Sequence, residues 1–212
     1  MPDPGRGPCV SSGGPAVSGT GRQCTMATEY RVAPEELLAF ATAALQAVGA
    51  DDWTVEVVAD ALVNASVRGT DSHGVRLLSG YCASARSGFT NPRPKYTVET
   101  PYPAFVVVDA DQGFGLAAGC RGIDLAVELA RKYGVATVAV KNSRHAGPMA
   151  AYTTRAAAQG CIAMAMTSVP PAMRSFNGSR PFFGTNPIAV VRERLRPPLS
   201  RPDCLQLLAL PA

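Results

Sequence analysis

The feature that most constrains the fold of this chain is a change in its hydrophobic period between residues 92 and 105. Before this point, apolar residues recur at the spacing of one helix face. After it, short apolar runs alternate with helical patterns. Strands that alternate with helices are typical of an α/β layer. The sequence therefore predicts an α/β fold in which a helical section, residues 26–92, precedes an α/β section, residues 93–191.

Three helices are predicted in the first section from their apolar stripes and their ends. Proline suits the first turn of a helix, glycine suits the residue after its end, and aspartate is a good N-terminal cap. The apolar stripe of the first helix includes Leu38. The helices are expected over residues 34–49, from Asp51 or Asp52 to Gly69, and over residues 75–87.

The second section alternates short apolar strands with helices, and it shows no internal repeat. Strands are predicted at residues 105–109, 135–140, 162–166 and 188–191. Helices are predicted at residues 119–133 and 149–159. Residues 168–184 are predicted to form a loop, because they are rich in proline, glycine and polar residues.

The two ends of the sequence differ from the part between them. Residues 1–25 are rich in glycine, proline and serine and have no face to bury, so we expect a disordered extension ahead of Met26. Residues 192–212 form a divergent tail, charged and interrupted by prolines, unlike a further helix or strand of the same fold. A sheet that ended at Val191 would leave an unpaired edge and an uncovered face.

Composition and charge exclude several classes of protein. Apolar residues make up 47% of the 212 residues, which is enough to bury a core. No apolar run approaches the roughly 18 residues that a membrane span needs. The net charge is +4, but most of the basic excess lies in residues 1–25 and 192–212. A nucleic-acid-binding surface is therefore not expected, and neither is a membrane partner.

The six cysteines show no C-x-x-C pair and no histidine at a zinc-binding spacing, so no metal site is expected. Cys82, Cys120 and Cys161 fall in apolar patterns, where a free thiol packs as a small hydrophobic group. The first 25 residues also lack the apolar segment of a secretory signal. These features favour a reducing compartment, the cytoplasm.

The chain has two histidines, His73 and His145, and each lies in a polar turn flanked by glycine. A histidine in such a loop is suited to accept a proton at neutral pH, and an ordinary surface or capping histidine fits the same pattern equally well. Asp71, Ser72 and His73 are adjacent and diverge on a turn, so they cannot converge as a hydrolase triad. Ser72 and His73 are better placed to bind a carboxylate together.

Two glycine-containing turns have structural as well as functional interpretations. The run from Gly113 to Gly119 follows a strand and opens a helix, as a dinucleotide-binding turn would. It has one residue too many before the last glycine, and Lys141 and Asn142 follow the next strand in place of an acidic residue. A structural turn is therefore favoured. The turn at residues 184–187, taken alone, predicts only the entry to a strand.

Three motifs taken together are more specific than any one of them. They are Thr70-Asp71-Ser72-His73-Gly74-Val75, Asn142-Ser143-Arg144-His145-Ala146-Gly147 and Gly184-Thr185-Asn186-Pro187-Ile188-Ala189. Their order and separations closely resemble those of the malate/L-lactate dehydrogenase family, which includes ureidoglycolate and sulfolactate dehydrogenases and is distinct from the Rossmann lactate and malate dehydrogenases. The resemblance covers about residues 30–191. It implies an incomplete, non-Rossmann NAD(P)-binding α/β domain after the helical section.

The resemblance also implies a function. Members of the family are oxidoreductases that transfer a hydride between NAD or NADP and a small 2-hydroxy or 2-oxo acid, and they form dimers. By resemblance, His145 is the proton acceptor. The matching substrate-binding residues are Ser72, His73, Arg76 and Tyr81, and the matching cofactor-binding residues are Ser168, Gly184, Thr185 and Asn186.

Two departures from the family pattern matter. The family places its substrate arginine four residues after the motif histidine, where this chain has Leu77. Arg76 is one position early, which on a helix rotates the side chain by about 100°. Family members also continue well past residue 191, whereas residues 192–212 resemble no part of them. Two hypotheses follow: a truncated dehydrogenase, or a non-catalytic remnant that associates with a full-length partner.

Overall fold

A computed structural model of the chain describes residues 31–192. The helices in this part are α1 (Pro34–Ala47), α2 (Asp52–Val67), α3 (Leu78–Arg86), α4 (Gly115–Tyr133) and α5 (Ala150–Ala157). The strands are β1 (Thr97–Tyr102), β2 (Phe105–Asp109), β3 (Thr137–Lys141), β4 (Ala163–Met166), β5 (Met173–Arg174), β6 (Pro181–Phe183) and β7 (Ile188–Val191). The predictions for residues 1–25 and for the tail after residue 192 lie outside the described residues.

The first two helices begin and end where the sequence predicts. Asp51 caps α2, because its carboxylate accepts hydrogen bonds from the backbone N–H and the hydroxyl of Thr54, at 2.9 and 3.1 Å. Gly49 and Gly69 follow α1 and α2 with φ angles of +78° and +76°. This left-handed conformation is accessible to glycine at little cost, so both helices end at these residues.

Three details of the helices differ from the sequence predictions. Helix α4 begins at Gly115 and not at Gly119, because close packing of its small residues outweighs the poor helix propensity of glycine. Residues Val75–Leu77, predicted as the first turn of a helix, form a separate 3-10 turn before α3. Leu38, expected on the buried face of α1, is 38% exposed, because α1 packs by a narrow stripe.

The central sheet has the strand order β1-β2-β3. Strand β2 runs antiparallel to β1 and parallel to β3, and it pairs Val106 with Val138 and Val108 with Val140. Helix α4 makes the crossover between β2 and β3. It packs closely on the sheet at Gly122, which lies against the side chains of Val138 and Val140. This β-α-β unit is the α/β arrangement that the alternating pattern predicted.

Strand β1 is not among the predicted elements. All six of its residues are exposed, and one of them is Pro101, so it shows no alternation of apolar and polar residues. It lies at an edge of the sheet and is held there by its ladder with β2 and by an ion pair from Glu99 to Lys141, 2.7 Å long. An exposed edge strand of this kind carries no hydrophobic period by which to find it.

A second, two-stranded sheet pairs β4 with β7 in antiparallel register. Strand β7 covers residues 188–191, as predicted. Between these strands, residues 168–184 were predicted as a loop, and they contain the short hairpin of β5 and β6. The β4–β7 sheet buries small residues on one face and exposes an apolar outer face. The outward side chains are Met164, Met166, Ile188 and Val190.

The main hydrophobic core lies among α1, α2, α3 and α4. Its largest fully buried apolar side chains are Leu45, Leu62 and Leu116. Helix α2 contributes most, with nine of its 16 residues buried. Tyr81 and Phe114 are also buried in this core, and their rings are 5.8 Å apart. The core therefore reaches the place where α3 meets the start of α4.

Cys82, Cys120 and Cys161 are free thiols. Burial raises the pKa of Cys120 to about 12 and also raises the pKa of Cys82. Thiols of this kind are poor nucleophiles, and both belong to the hydrophobic core. None of the helices in residues 31–192 is long and apolar enough to cross a membrane.

Candidate functional site

His145 lies in the loop after β3, in residues 142–147. This loop is joined to the turn before α4 by a hydrogen bond from the backbone N–H of Arg144 to the carbonyl oxygen of Gly113, 3.0 Å long. Asn142 starts the loop with a φ of +53°, a conformation that asparagine tolerates better than most residues. His145 is therefore presented beyond the carboxyl end of a parallel strand, where α/β folds commonly place their ligands.

The glycines at the start of α4 form a packing surface for this loop. A Cβ atom at Gly115 would overlap the carbonyl oxygen of Arg144, and one at Gly119 would overlap the ring of Tyr152. The Tyr152 hydroxyl in turn donates a hydrogen bond to a carbonyl of the His145 loop. The run from Gly113 to Gly119 thus allows close approach of neighbouring chain, as expected of a structural turn.

His73 is positioned by helix α2. It ends a 3-10 turn, Asp71–His73, that follows this helix. The next residue, Gly74, rests directly on Ser66 of α2, where a Cβ atom would overlap the serine side chain. The Ser66 hydroxyl also accepts a hydrogen bond from the N–H of Val75, at 3.0 Å. These contacts tie the His73 turn to the most buried helix of the core.

The structure brings four of the predicted site residues together. The rings of His73 and His145 are stacked, with centroids 5.9 Å apart and planes inclined by 24°. The Tyr81 hydroxyl oxygen lies 2.8 Å from Nδ1 of His145. Ser72 Oγ lies 3.0 Å from Nδ1 of His73. We call Ser72, His73, Tyr81 and His145 the histidine cluster.

The surroundings of His145 favour its neutral form. Partial burial lowers the pKa of His145 below its ordinary value of 6.5, and electrostatic repulsion from the neighbouring His73 lowers it further. A neutral imidazole is the form that can accept a proton at neutral pH. Burial raises the pKa of the Tyr81 hydroxyl, which therefore stays a neutral phenol beside the imidazole. His145 has the protonation state that a general base needs.

A cavity of about 220 Å³ opens beside His145. It is smaller than the roughly 300–1,000 Å³ of pockets for drug-sized ligands, so it suits a small molecule. Its walls are mainly aromatic, with three hydroxyl groups, one of them that of Tyr81, and one cation. The lining residues are Tyr81, Ser84, Phe89, Thr90, Phe114, Arg144 and His145.

Arg144 is the charged residue of this cavity, and the sequence prediction did not include it among the site residues. Its guanidinium carbon lies 3.6 Å from the centre of the Phe89 ring. Its Nε atom is buried and has no hydrogen-bond partner among the described residues. On the sequence, Arg76 matches the substrate arginine of the family more closely, which draws attention away from Arg144. The sequence feature that could have identified Arg144 is its position directly before His145 in the motif.

Arg76 lies apart from the histidine cluster. It is exposed on the 3-10 turn Val75–Leu77 that precedes α3. Within residues 31–192, no hydrogen bond, ion pair or ring contact connects it to the cluster. Its role in substrate binding stays a prediction.

The predicted cofactor-binding residues form a second group between β4 and β7. Asn186 has a φ of +36°, and its Oδ1 accepts a hydrogen bond from the N–H of Val169 at 3.0 Å. A Cβ atom at Gly184 would overlap the carbonyl oxygen of Val169. The loop after Ser168 therefore packs on this turn, and Thr185 is exposed. In the described part of the chain, no hydrogen bond, ion pair or ring contact joins this group to the histidine cluster.

Comparison with known proteins identifies the family. The sequence model described as malate/L-lactate dehydrogenase matches residues 32–198, which include the histidine cluster and the second group. The chain belongs to the malate/L-lactate dehydrogenase family. A malate dehydrogenase of Pyrococcus abyssi is 37% identical to it over 160 residues. A (2R)-3-sulfolactate dehydrogenase (NADP(+)) of Chromohalobacter salexigens is 42% identical over 154 residues.

The chain spans about half the length of the curated relatives it matches. These two alignments cover 76% and 73% of the chain but 44% and 46% of the relatives. The malate dehydrogenase structure from Pyrococcus horikoshii OT3 superposes with a TM-score of 0.74 and 34% identity, covering 79% of this chain and 48% of that one. The malate dehydrogenase structure from Entamoeba histolytica superposes with a TM-score of 0.77 and 30% identity, covering 84% of this chain and 49% of that one. These neighbours confirm the predicted fold class, an incomplete α/β domain of the malate/L-lactate dehydrogenase type.

Proposed function

We propose that this chain carries the substrate side of an NAD(P)-dependent dehydrogenase of small 2-hydroxy acids, with His145 as the proton acceptor. The observation that carries the proposal is the convergence of His73 and Tyr81 on His145, at the edge of a small cavity that Tyr81 and His145 line. These residues come from three separate segments, as catalytic groups that share one ligand do. Relatives named as malate and sulfolactate dehydrogenases support the same reaction class.

His145 takes the hydroxyl proton of the substrate. Its Nδ1 faces the Tyr81 hydroxyl at 2.8 Å, so the productive tautomer carries its hydrogen on Nδ1 and donates it to the Tyr81 oxygen. Nε2 then keeps a free lone pair for the proton of the 2-hydroxyl group. Tyr81 acts as a positioning residue that holds the ring and selects this tautomer.

Ser72 and His73 hold the carboxylate of the substrate. Both lie on one turn, and the His73 imidazole stacks on the His145 imidazole. An acid whose carboxylate binds at this turn therefore has its 2-hydroxyl group next to the proton acceptor, His145. A hydroxyl and an imidazole N–H are suitable donors to a carboxylate. Arg76 is a further candidate, because a flexible side chain on the neighbouring turn adds positive charge at the entrance.

The nicotinamide ring of NAD or NADP, when bound, supplies the redox chemistry by accepting the hydride from C2. The residues that would hold part of it are Ser168, Gly184, Thr185 and Asn186. They fit such a group, because Thr185 places an exposed hydroxyl on a turn that the close contact of Gly184 with the Val169 carbonyl holds in shape. A relative named for NADP(+) supports a nicotinamide dinucleotide.

The remaining sequence predictions describe the domains, compartment and partners of this enzyme. Residues 26–92 serve as the substrate-side domain, and residues 93–191 serve as part of the NAD(P)-binding domain. The enzyme works in the cytoplasm on a small acid, without nucleic-acid or membrane partners. The homodimer that the resemblance implies is proposed for full-length members of the family.

Titration of the purified chain with NADH and NADPH, followed by nicotinamide fluorescence and then by turnover on a panel of 2-oxo acids, tests the proposal. We expect binding of at least one cofactor. His145→Ala should bind it as the unaltered chain does and lose turnover by about 10²-fold or more. His73→Ala should raise KM for the acid more than it lowers kcat. An absence of cofactor binding and of turnover would overturn the proposal.

A non-catalytic role is the second candidate, because the outer face of the β4–β7 sheet is apolar and exposed. In that case the chain associates with a longer member of the family and does no chemistry itself. A cooperative thermal melt of a monomer without aggregation would argue against this role. A stable complex with a longer family member, formed by a chain that binds neither cofactor, would argue for it.

A further inference from the structure

We propose that Arg144 is a specificity-determining residue that binds a second anionic group of the substrate, so that the site prefers 2-hydroxy acids with a carboxylate or sulfonate at their far end. This inference rests on the proposed function, because it places the reacting hydroxyl at His145. It concerns a residue outside the set of substrate ligands that the family resemblance assigns.

The position of Arg144 relative to His145 supports this role. His145 has two occupied sides: the His73 ring stacks on it, and the Tyr81 hydroxyl contacts its Nδ1. The cavity that contains Tyr81 and Arg144 opens beside the same ring. An acid held by its first carboxylate at the His73 turn, with its hydroxyl at His145, can therefore extend its other end into the cavity.

The charge balance of the cavity points to an anionic ligand. Arg144 supplies the one cationic side chain in its lining, and the other walls are aromatic rings and hydroxyl groups. In residues 31–192, no carboxylate lies within ion-pair distance of this guanidinium. Its Nε is buried without a partner, so this atom is closed to a ligand, whereas the two outer amino groups of the guanidinium form no hydrogen bond with residues 31–192. A bound anion would accept from these outer amino groups.

The guanidinium is also held in place for such a contact. It stacks on Phe89, with the guanidinium carbon 3.6 Å from the ring centre. The backbone N–H of Arg144 also donates a hydrogen bond to the carbonyl oxygen of Gly113. Stacking on a ring face leaves the N–H groups at the edge of the guanidinium free to form paired hydrogen bonds with a planar or tetrahedral anion. Arg144 is therefore pre-organised, whereas Arg76 is exposed on its turn.

Nuclear magnetic resonance can test this inference, because the chain has two histidines and both lie in the cluster. Racemic malate, racemic lactate and the 4-methyl monoester of malate are titrated into the unaltered chain while the imidazole signal of His145 is followed. We expect malate to bind about tenfold or more tightly than either monoanion, since a hydrogen bond to a charged group accounts for at least that factor. The ester comparison needs no substitution, so it does not depend on the folding of a variant.

Three variants then identify the residue responsible. Arg144→Met should lower the affinity for malate to about that for lactate, while Arg144→Lys should retain part of the preference. Arg131→Met, an exposed arginine of α4, is the matched control and should change neither affinity. Loss of the preference in Arg76→Met and its retention in Arg144→Met would overturn the inference.

The failure of this inference can be told from the failure of the proposed function. If neither malate nor lactate shifts the His145 signal, no acid binds at the cluster, and the proposed function falls together with the inference. If lactate binds but malate and its ester bind equally well, the proposed function survives and the inference is wrong.

Discussion

Helix α2 and the β4–β7 sheet are both rich in apolar residues, but their surroundings are opposite. Nine of the 16 residues of α2 are buried, and the helix touches the core on several sides. The β4–β7 sheet consists almost wholly of alanine, methionine, valine and isoleucine, yet it buries only one face. Met164 and Met166 on its other face are 58% and 62% exposed.

The difference shows that apolar composition alone does not decide what a segment contributes to stability. A side chain contributes through the area that neighbouring elements remove from water. Helix α2 packs in the core with α1 and α4. It also carries Ser66, whose hydroxyl accepts a hydrogen bond from Val75 beside the His73 turn. The stability of this molecule and the geometry of its candidate site therefore depend on the same helix. The outer face of the β4–β7 sheet contributes to neither.

The largest expected effect tests this comparison directly with two truncations of similar size. Leu62→Ala removes a side chain of α2 that is 0% exposed, and it should lower the free energy of unfolding by about 2–5 kcal/mol. Met164→Ala on the outer face of the β4–β7 sheet should cost less than about 1 kcal/mol. Urea unfolding followed by circular dichroism measures both. Equal losses would show that the exposed face is in fact covered in solution.

A smaller effect on stability is expected at Gly115, where the start of α4 contacts the backbone of the His145 loop. Gly115→Ala places a methyl group against the carbonyl of Arg144, so it should destabilise the chain by about 1–3 kcal/mol and shift the imidazole signals of His145. Gly80→Ala in α3 is the control, because no atom lies within 4 Å of the added Cβ. It should stabilise the chain by about 0.5–1 kcal/mol. Thermal melting and NMR spectra report the two effects, and an unshifted His145 signal in Gly115→Ala would contradict the contact.

The N-terminal cap of α2 should contribute still less to the free energy of unfolding. Asp51→Ala removes the acceptor of two hydrogen bonds from Thr54 and should cost about 1 kcal/mol. Asp52→Ala, one residue along, is the control, because it removes only a charge in the first turn and should cost about 0.5 kcal/mol. Chemical unfolding at low salt measures the difference. If the two variants were equal, charge and not capping would explain the stabilisation.

The smallest effect is the dependence of stability on pH. The pKa of His145 is lowered in the folded chain, so below pH 6.5 the unfolded chain binds more protons than the folded one. The contribution of His145 is therefore fully present above pH 6.5 and is lost as the pH falls from there through its folded pKa. His145→Gln should flatten this part of the stability profile. His73→Gln should raise the pKa of His145 in an NMR titration, and an unchanged value would contradict the coupling of the two rings.

Much of the fold could be predicted from the sequence because its signals are local. The glycines after α1 and α2, the Asp51 cap and the apolar run of β7 each act on their own segment. The start of α4 and the strand β1 could not be predicted in the same way. Gly115 becomes helical because of contacts with a distant loop, and β1 is defined by its pairing with β2 and not by its side chains.

In the candidate site, too, local motifs could be predicted from the sequence, whereas contacts between distant segments could not. The three ordered motifs predicted the family, which the comparisons confirm. His73 and His145 could each be singled out as reactive candidates, but their stacking depends on how the α2 and β3 segments fold together. Arg144 was missed because the stacking on Phe89 and the buried Nε become visible only when the cavity is formed.

The seating of the His145 loop on Gly115 has a consequence for protein engineering. Exchanging cavity side chains such as Phe89 or Thr90 alters the shape of the ligand space while the main chain under His145 stays where it is. Adding a single carbon at the start of α4 moves that main chain itself. A library intended to change which ligand the cavity accepts should therefore diversify the cavity walls and exclude the glycines of α4.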